Sequence, residues 1–312
     1  MIVSIITPAY NAAAHIEETI RSVLAQTFSQ WEWIIVDDGS TDTTREIVSK
    51  IDDPRVTLAV SEHSGLPAVA RNKAIAMARG RYVAFLDADD IWMPEKLEFQ
   101  VKYLDAKPDV GLVFSKIFYF YEESGRRRRR PEPSMHGLAN PGNLFPRVAF
   151  HNPICTSSAM VRRSLFERFG TMDEDPQQRG SEDYEFWLRL APHTLFGWIE
   201  QPLVWYRVVR TSVSGNATAI ARGRILAVEK ALARDPGAPL DPRLAGGRLE
   251  AWKLFWLGKG QLYDGVERCG RQAFRQSLAI DRGNVRAWVW LALSFLGGPL
   301  LARLRALAYR LL

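Results

Sequence analysis

Two acidic groups at comparable places in the chain are the residues best suited to chemistry. Asp37-Asp38 closes the apolar run 33–36, and Asp87-Ala88-Asp89-Asp90 closes the run 82–86. Each group alone reads more readily as turn formers or helix caps, because Asp is favoured in both places. Two such groups together favour a cation, since clustered carboxylates repel unless one compensates them. A hard divalent ion takes one or two carboxylates together with substrate phosphates. No G-x-G-x-x-G follows the first strand, where Pro8 and Tyr10 stand in place of glycines, and no G-x-x-x-x-G-K-[ST] occurs. Phosphate is therefore expected to be held through a metal rather than in a glycine cradle.

The elements that must position these residues follow from hydrophobic period. Short β-branched runs at 3–6, 33–36, 56–60 and 82–86 alternate with amphipathic stretches, the pattern of βαβ units around a parallel sheet. Ile16, Ile20, Val23 and Leu24 form one face of a helix ending near Gln26. Thr43-x-x-Glu46 is a capping-box pattern opening a second helix, and 68–78 reads as a third. Parallel strands joined by right-handed crossovers point the same way, so their C-terminal ends share one edge. Open α/β sheets bind ligands along that edge, where both acidic groups fall.

Farther on, a helix after Pro94 carries Leu97, Val101 and Leu104, and 110–121 is apolar enough for one or two buried strands. The stretch 122–142, with arginine at every position from 126 to 130, reads as a mobile loop. A strand at 156–161, helices at 164–169 and 182–190, and a strand at 203–208 follow. Beyond about 217, Ala, Leu and Arg recur at helical spacing, with Trp252, Trp256, Trp288 and Trp290 as large anchors. The stretch 270–296 has the alternation of a single tetratricopeptide-like helix pair.

Composition sets the outer bounds. Of 312 residues, 47% are hydrophobic and 24% charged, which excludes disordered and low-complexity classes. Cys155 and Cys269 lack metal-ligand spacing, so a reducing compartment is expected, with Cys155 a packing residue. The apolar start lacks the basic region of a signal peptide, and a cytoplasmic location is expected. The five histidines form no ligand spacing, and each, His63 and His151 included, reads as surface or satisfied core. Lys and Arg exceed Asp and Glu by six, but the arginine run has no interleaved aromatics, so a solvated loop is favoured over nucleic-acid binding.

Five segments together are more specific than any of these signals. Val3-Ser-Ile-Ile-Thr-Pro-Ala-Tyr-Asn11, Ser22-Val-Leu-Ala-Gln-Thr-Phe28, Ile34-Ile-Val-Asp-Asp-Gly-Ser-Thr-Asp42, Ala70-Arg-Asn72 and Ala84-Phe-Leu-Asp-Ala-Asp-Asp90 resemble the family 2 glycosyltransferases of the GT-A fold. The resemblance covers roughly residues 1–214. It implies an α/β fold, a Rossmann-like and mostly parallel sheet flanked by helices, to which the sequence adds a C-terminal helical extension. A catalytic domain is expected over 1–215, divided into a nucleotide-binding half at 1–100 and an acceptor-binding half at 101–215, with the extension at 216–312.

The same resemblance implies transfer of a sugar from a UDP-sugar with inversion, helped by Mg2+ or Mn2+. Pro8, Ala9 and Tyr10 would line the base and ribose pocket, Tyr10 stacking on uracil. Asp38 would accept the uracil N3–H, with Asp37 orienting its loop. Arg71 would approach the base or diphosphate, Asp87 the ribose or a metal-bound water, and Asp89 would ligate the metal. Gly180-Ser-Glu-Asp-Tyr-Glu-Phe-Trp resembles the family's Glu-Asp motif and makes Asp183 the expected base, with Glu182 orienting the acceptor. The opposing interpretation is that both residues only favour a helix N-terminus. Many relatives carry Tyr-Arg-x-His after that helix; here Val209 stands at the His position, leaving Arg207 or Arg210 to contact phosphate. The Gln-x-x-Arg-Trp signature of processive synthases is absent, so single additions are expected. The acceptor would be a saccharide, lipid-linked or protein-borne, in polysaccharide or glycolipid synthesis.

For the tail, packing on the catalytic domain competes with a peripheral position at the inner membrane face through Trp288, Trp290 and Phe295. Two other classes are set against the transferase. A nucleotide-sugar-binding scaffold would recruit partners through the tail. A nucleotidyltransferase would need a glycine-rich basic first loop, which 8–14 does not provide.

Overall fold

The computed structural model describes residues 1–123, 126–131, 142–208 and 216–296. The chain forms two compact units, interleaved in sequence. The first takes Met1–Leu144, Pro153–Glu174 and Arg189–Val209, and the second Phe145–Asn152, Asp175–Leu188 and the described residues from 216 onward. Two segments upstream of residue 215 thus belong to the helical unit.

In the first unit a mixed sheet carries strands β1 (Val3–Ala9), β2 (Trp31–Asp37), β3 (Val56–Val60), β4 (Tyr82–Phe85), β5 (Ile91–Trp92), β6 (Val110–Glu123), β7 (Arg126–Pro131), β8 (Met160–Arg162) and β9 (Leu195–Arg207). Their order is β3-β2-β1-β4-β8-β6-β9-β5, with β7 paired to β6. The four N-terminal strands are parallel. Every residue of β2 is buried, as expected for a central parallel strand covered on both faces. Helices α1 (Ile16–Leu24), α2 (Thr44–Ser49), α3 (Pro67–Met77), α4 (Lys96–Ala106) and α6 (Ser164–Phe169) belong to this unit.

Four expectations change. Leu24 is 43% exposed, and the inward face of α1 uses Thr19 between Ile16, Ile20 and Val23. The capping box does not form: Thr43 makes no side-chain cap bond, and Asp42 Oδ1 accepts from the Thr44 N–H (3.0 Å) and hydroxyl (2.5 Å) instead. The expected loop at 122–142 contains β7, whose backbone pairs antiparallel with β6 in the register Phe118↔Pro131 to Glu123↔Arg126. An edge strand leaves unpaired N–H and C=O groups, and the returning chain satisfies them. The expected strand at 156–161 is a 3-10 turn, Thr156–Ser158, followed by β8.

The second unit holds α5 (Phe145–Phe150), α7 (Glu182–Leu190), α8 (Ala217–Arg234), α9 (Arg248–Tyr263), α10 (Glu267–Ile280) and α11 (Val285–Leu293). Helices α9 and α10 cross closely because Gly258 and Gly270 face one another: a Cβ on Gly258 would lie 3.0 Å from the Gly270 carbonyl. Trp252, Phe255, Phe274 and Trp290 fill this core. Trp290 therefore points inward, not toward a membrane surface as the tail pattern had allowed, whereas Trp288 is 53% exposed. No described helix is long and apolar enough to cross a membrane.

Candidate active site

Strand β1 ends beside β2, with Ala9 opposite Asp37, and the Asp38 N–H extends the ladder to the Ala9 carbonyl at 2.8 Å. The chain then turns at Gly39, whose φ of 72° suits glycine and whose Cβ would meet the His63 backbone N at 2.8 Å. That contact brings residues 63–65 onto the end of β2. Asp38 Oδ1 accepts from the Ser64 N–H and hydroxyl, both at 2.9 Å, and Oδ2 from the Gly65 N–H at 3.1 Å. His63 Nδ1 lies 3.0 Å from Asp38 Oδ2, and its ring stacks on Tyr10 at 4.0 Å between centroids and 18° between planes. Tyr10 keeps 46% of its surface exposed, so the stacked pair is a braced aromatic platform.

Asp37 serves the turn. It is fully buried, and its Oδ1 accepts from the Ser40 N–H (2.9 Å) and from Arg45 (3.2 Å). Asn11 ties the same turn to β1: its Oδ1 accepts from the Thr41 and Asp42 N–H groups, and its own N–H donates to Ser40 Oγ. Pro8 and Ala9 lie at the end of β1, Pro8 partly accessible and Ala9 buried.

The acidic loop after β4 is pinned from several sides. Arg71 on α3, itself 5% exposed, bonds Asp87 Oδ1 at 2.6 Å. The Asp87 N–H donates to Ser157 Oγ at 3.0 Å. Thr19 Oγ1 donates to the carbonyls of Ala88 (3.0 Å) and Asp90 (2.8 Å). The Arg207 backbone N–H donates to Asp90 Oδ1 at 2.8 Å, its Nε to the Asp89 carbonyl at 2.8 Å and its Nη2 to Glu18 at 2.5 Å. Arg207, 3% exposed, thus positions the loop.

This rigidity forces three carboxylates together. Burial first, and then the Asp87 charge, push the Asp89 carboxyl up to about 6. Burial, Asp89 and Asp87 push Asp90 well above the usual carboxylate range. Such a site is electrostatically short of positive charge, and its donors are hard oxygens, which fits Mg2+ or Mn2+. Among the described residues no three His, Cys, Asp or Glu side chains gather as a ready-made metal cage. An ion here would draw on Asp89 and Asp87 together with ligand and water oxygens, the usual habit of Mg2+.

In the second unit, Asp183 and Glu182 begin α7. Asp183 Oδ1 accepts from the Tyr184 N–H at 2.7 Å, and Glu182 is 4% exposed. The next turns anchor the helix: the Tyr184 hydroxyl donates to the Val148 carbonyl at 2.8 Å, and fully buried Glu185 pairs with Arg234 at 2.6 Å. A Cβ on Gly223 of α8 would sit 3.0 Å from Ser181 Oγ, so α8 passes close against the start of α7. Val209 and Arg210 lie outside the described residues.

A family profile described as Glycosyl transferase family 2 matches residues 4–170, just over half of the chain. The chain belongs to glycosyltransferase family 2. This glycosyltransferase is 37% identical over 226 residues to the "Putative teichuronic acid biosynthesis glycosyltransferase TuaG" of Bacillus subtilis (strain 168), covering 71% of this chain and 84% of that protein. It is 30% identical over 216 residues to the "UDP-Glc:alpha-D-GlcNAc-diphosphoundecaprenol beta-1,3-glucosyltransferase WfaP" of Escherichia coli, covering 69% and 80%. Its fold matches the mannosyltransferase PcManGT of Pyrobaculum calidifontis, solved with GDP-Man and Mn2+, at a TM-score of 0.61 and 20% identity over 94% of this chain and 83% of that one. The sheet and its flanking helices are the GT-A arrangement.

Within this glycosyltransferase, Pro8, Ala9, Tyr10, Asp37 and Asp38 share the β1–β2 end, while Arg71, Asp87 and Asp89 share the β4 end of the same unit. Asp183 and Glu182 belong to the other unit. Sequence reasoning missed His63, Thr19, Glu18 and Ser157, which hold the two loops. Only Thr19 left a signal, as a polar residue at i+3 on the apolar face of a helix.

Proposed function

We propose that the protein is an inverting, metal-dependent glycosyltransferase that moves a sugar from a UDP-sugar to a hydroxyl of a lipid-carried saccharide in cell-surface polysaccharide synthesis. The observation that carries this reading is the pinned carboxylate loop 87–90, which stands beside the aromatic platform at one sheet edge. The names of the two relatives, one for teichuronic acid and one for a UDP-glucose donor with a diphosphoundecaprenol acceptor, support the donor and acceptor classes. On this reading residues 1–215 supply the catalytic machinery and the helices beyond them form an extension.

Tyr10 stacks on the uracil with His63 behind it. Asp38 is oriented by Ser64 and Gly65, and with His63 Nδ1 directed to the Asp38 backbone carbonyl at 2.9 Å its Oδ2 has one position left to accept the uracil N3–H, which selects against cytosine because cytosine N3 is itself an acceptor. Asp87, held by Arg71, faces the ribose. Asp89, with Asp87 beside it, would hold Mg2+ or Mn2+, and the ion would supply charge stabilisation for the leaving diphosphate. Asp183 takes the acceptor hydroxyl's proton as that oxygen attacks the anomeric carbon, and Glu182 orients the acceptor. Inversion follows from the single displacement. Helix α11 leaves Val285, Trp288 and Val289 at least half exposed, with Phe295 following at 60%, a surface suited to a peripheral position on the inner membrane face.

Release of UDP, screened across nucleotide sugars with and without Mn2+, tests this function. One UDP-sugar is expected to be hydrolysed or transferred only with the metal; release of pyrophosphate from a nucleoside triphosphate would instead mark a nucleotidyltransferase. His63→Ala is expected to weaken UDP binding about tenfold through loss of the stacked support, worth about 1 kcal/mol, and of its contact with Asp38. Calorimetry checks this, and an unchanged affinity would remove His63 from the pocket.

A further inference from the structure

The helical unit gathers positive charge around three aromatic side chains, Trp256, Trp290 and Phe150. Arg224 of α8 lies 4.2 Å from the Trp256 ring centroid, and Lys259 of α9 lies 4.9 Å from the same centroid and 5.3 Å from that of Trp290. Arg243, in the connection between α8 and α9, sits 3.6 Å over Phe150, and Arg286 of α11 sits 5.2 Å over the same ring. His151, next in sequence to Phe150, stacks with Trp256 at 6.1 Å and 12°, which joins the two groups. Four cations from four separate segments therefore share one aromatic lining.

Asp241 is bound to Arg243 at 2.6 and 2.7 Å. Lys259 and Arg286 have no carboxylate partner among the described residues. The groups feel one another strongly. Burial, with Arg224 and Arg286, pushes the Lys259 ammonium down to about 7. Burial together with Arg224, Lys259, Arg286 and Arg243 pushes His151 down to about 3, so its imidazole is neutral. Trp256 is 9% exposed, and its indole N–H finds no acceptor among the described residues. Like charges assembled in a partly buried setting repel one another more strongly than they would in water, and an anion bound among them relieves that repulsion.

We infer that this cation cluster is an anion site for the diphosphate group of the lipid-carried acceptor. A carboxylate brings one charge and two oxygens. A diphosphate brings two or more charges and a longer row of acceptor oxygens, which matches guanidinium forks and an ammonium spread over three aromatic side chains. The aromatic walls also offer apolar surface for the first carbons of an attached lipid. The diphosphate chemistry stands on the cations alone, whereas its assignment to the acceptor rests on the function proposed above.

The test is a calorimetric titration of inorganic pyrophosphate into the full chain in the presence of a chelator. One saturable site is expected in the wild type. Lys259→Met and Arg286→Gln are each expected to weaken it at least tenfold with an unchanged melting temperature, and Asp38→Ala is expected to leave it intact. Arg286 is exposed, so its variant keeps the test usable if Lys259→Met fails to fold. Farnesyl diphosphate is expected to displace pyrophosphate, and UDP is not. Unchanged affinity in Arg286→Gln and a folded Lys259→Met, loss of binding in Asp38→Ala, or displacement by UDP but not by farnesyl diphosphate would overturn the proposal. Failure of UDP to bind anywhere would sink the donor reading while leaving the pyrophosphate result in place.

Discussion

Asp89→Asn is expected to lower sugar transfer about a thousandfold while raising the melting temperature at pH 7. The two effects share one cause. Loss of a charge contact made to the leaving group through the metal removes several kcal/mol of transition-state stabilisation, and each ~1.4 kcal/mol is a factor of ten in rate. The same carboxylate burdens the fold, because its pKa is raised to about 6 by burial and by Asp87. A carboxyl whose folded value exceeds its unfolded one of 3.8 binds its proton more tightly when folded, so it favours the folded state at low pH. That favour is lost as the pH rises through 6, and at pH 7 the ionised group carries the full penalty. The stabilisation in Asp89→Asn is therefore expected to be largest at neutral pH without metal, to shrink between pH 6 and 4, and to disappear below that. Saturating Mn2+ is expected to stabilise the wild type and not the variant. Thermal melts across pH with and without Mn2+ check the account; a variant less stable than the wild type at pH 7 would contradict it.

The second large effect belongs to Asp183. Asp183→Asn keeps the size of the side chain and its ability to accept from the Tyr184 N–H, so α7 is expected to start as before. What it loses is the basic oxygen, and general-base catalysis is worth about 10² to 10⁴ in rate. Transfer is expected to fall about a thousandfold in kcat with UDP affinity and melting temperature unchanged. Glu182→Gln is expected to act mainly on the KM for acceptor. Full transfer by Asp183→Asn would return the residue to a purely structural role at the helix start, where negative charge is favoured in any case.

Legibility in the sequence followed the range of the interactions. Strand β3 and helices α6 and α7 fall where period and β-branching place them, because each is decided by its own residues. The sheet edge carrying Asp38 and Asp89 was also legible, since the βαβ pattern fixes strand direction. Strand β7 was not: five consecutive arginines have no strand period, and the run is a strand only because β6 offers an unpaired edge. His63, Thr19 and Ser157 are set by contacts spanning 25, 69 and 70 residues, beyond any local pattern. The cation cluster was invisible for the same reason. Its members are spread from 224 to 286, and the aromatic rings that organise them include Phe150, from a segment that the linear reading placed in a different domain.

The most direct measurement of the central claim is the calorimetric affinity of the wild type for UDP, GDP and CDP with and without Mn2+. The account predicts that UDP binds at least tenfold more tightly than the other two, that Mn2+ strengthens it at least tenfold further, and that Asp38→Ala erases the preference for uracil. Equal affinities for all three nucleotides, indifferent to Mn2+, would contradict it.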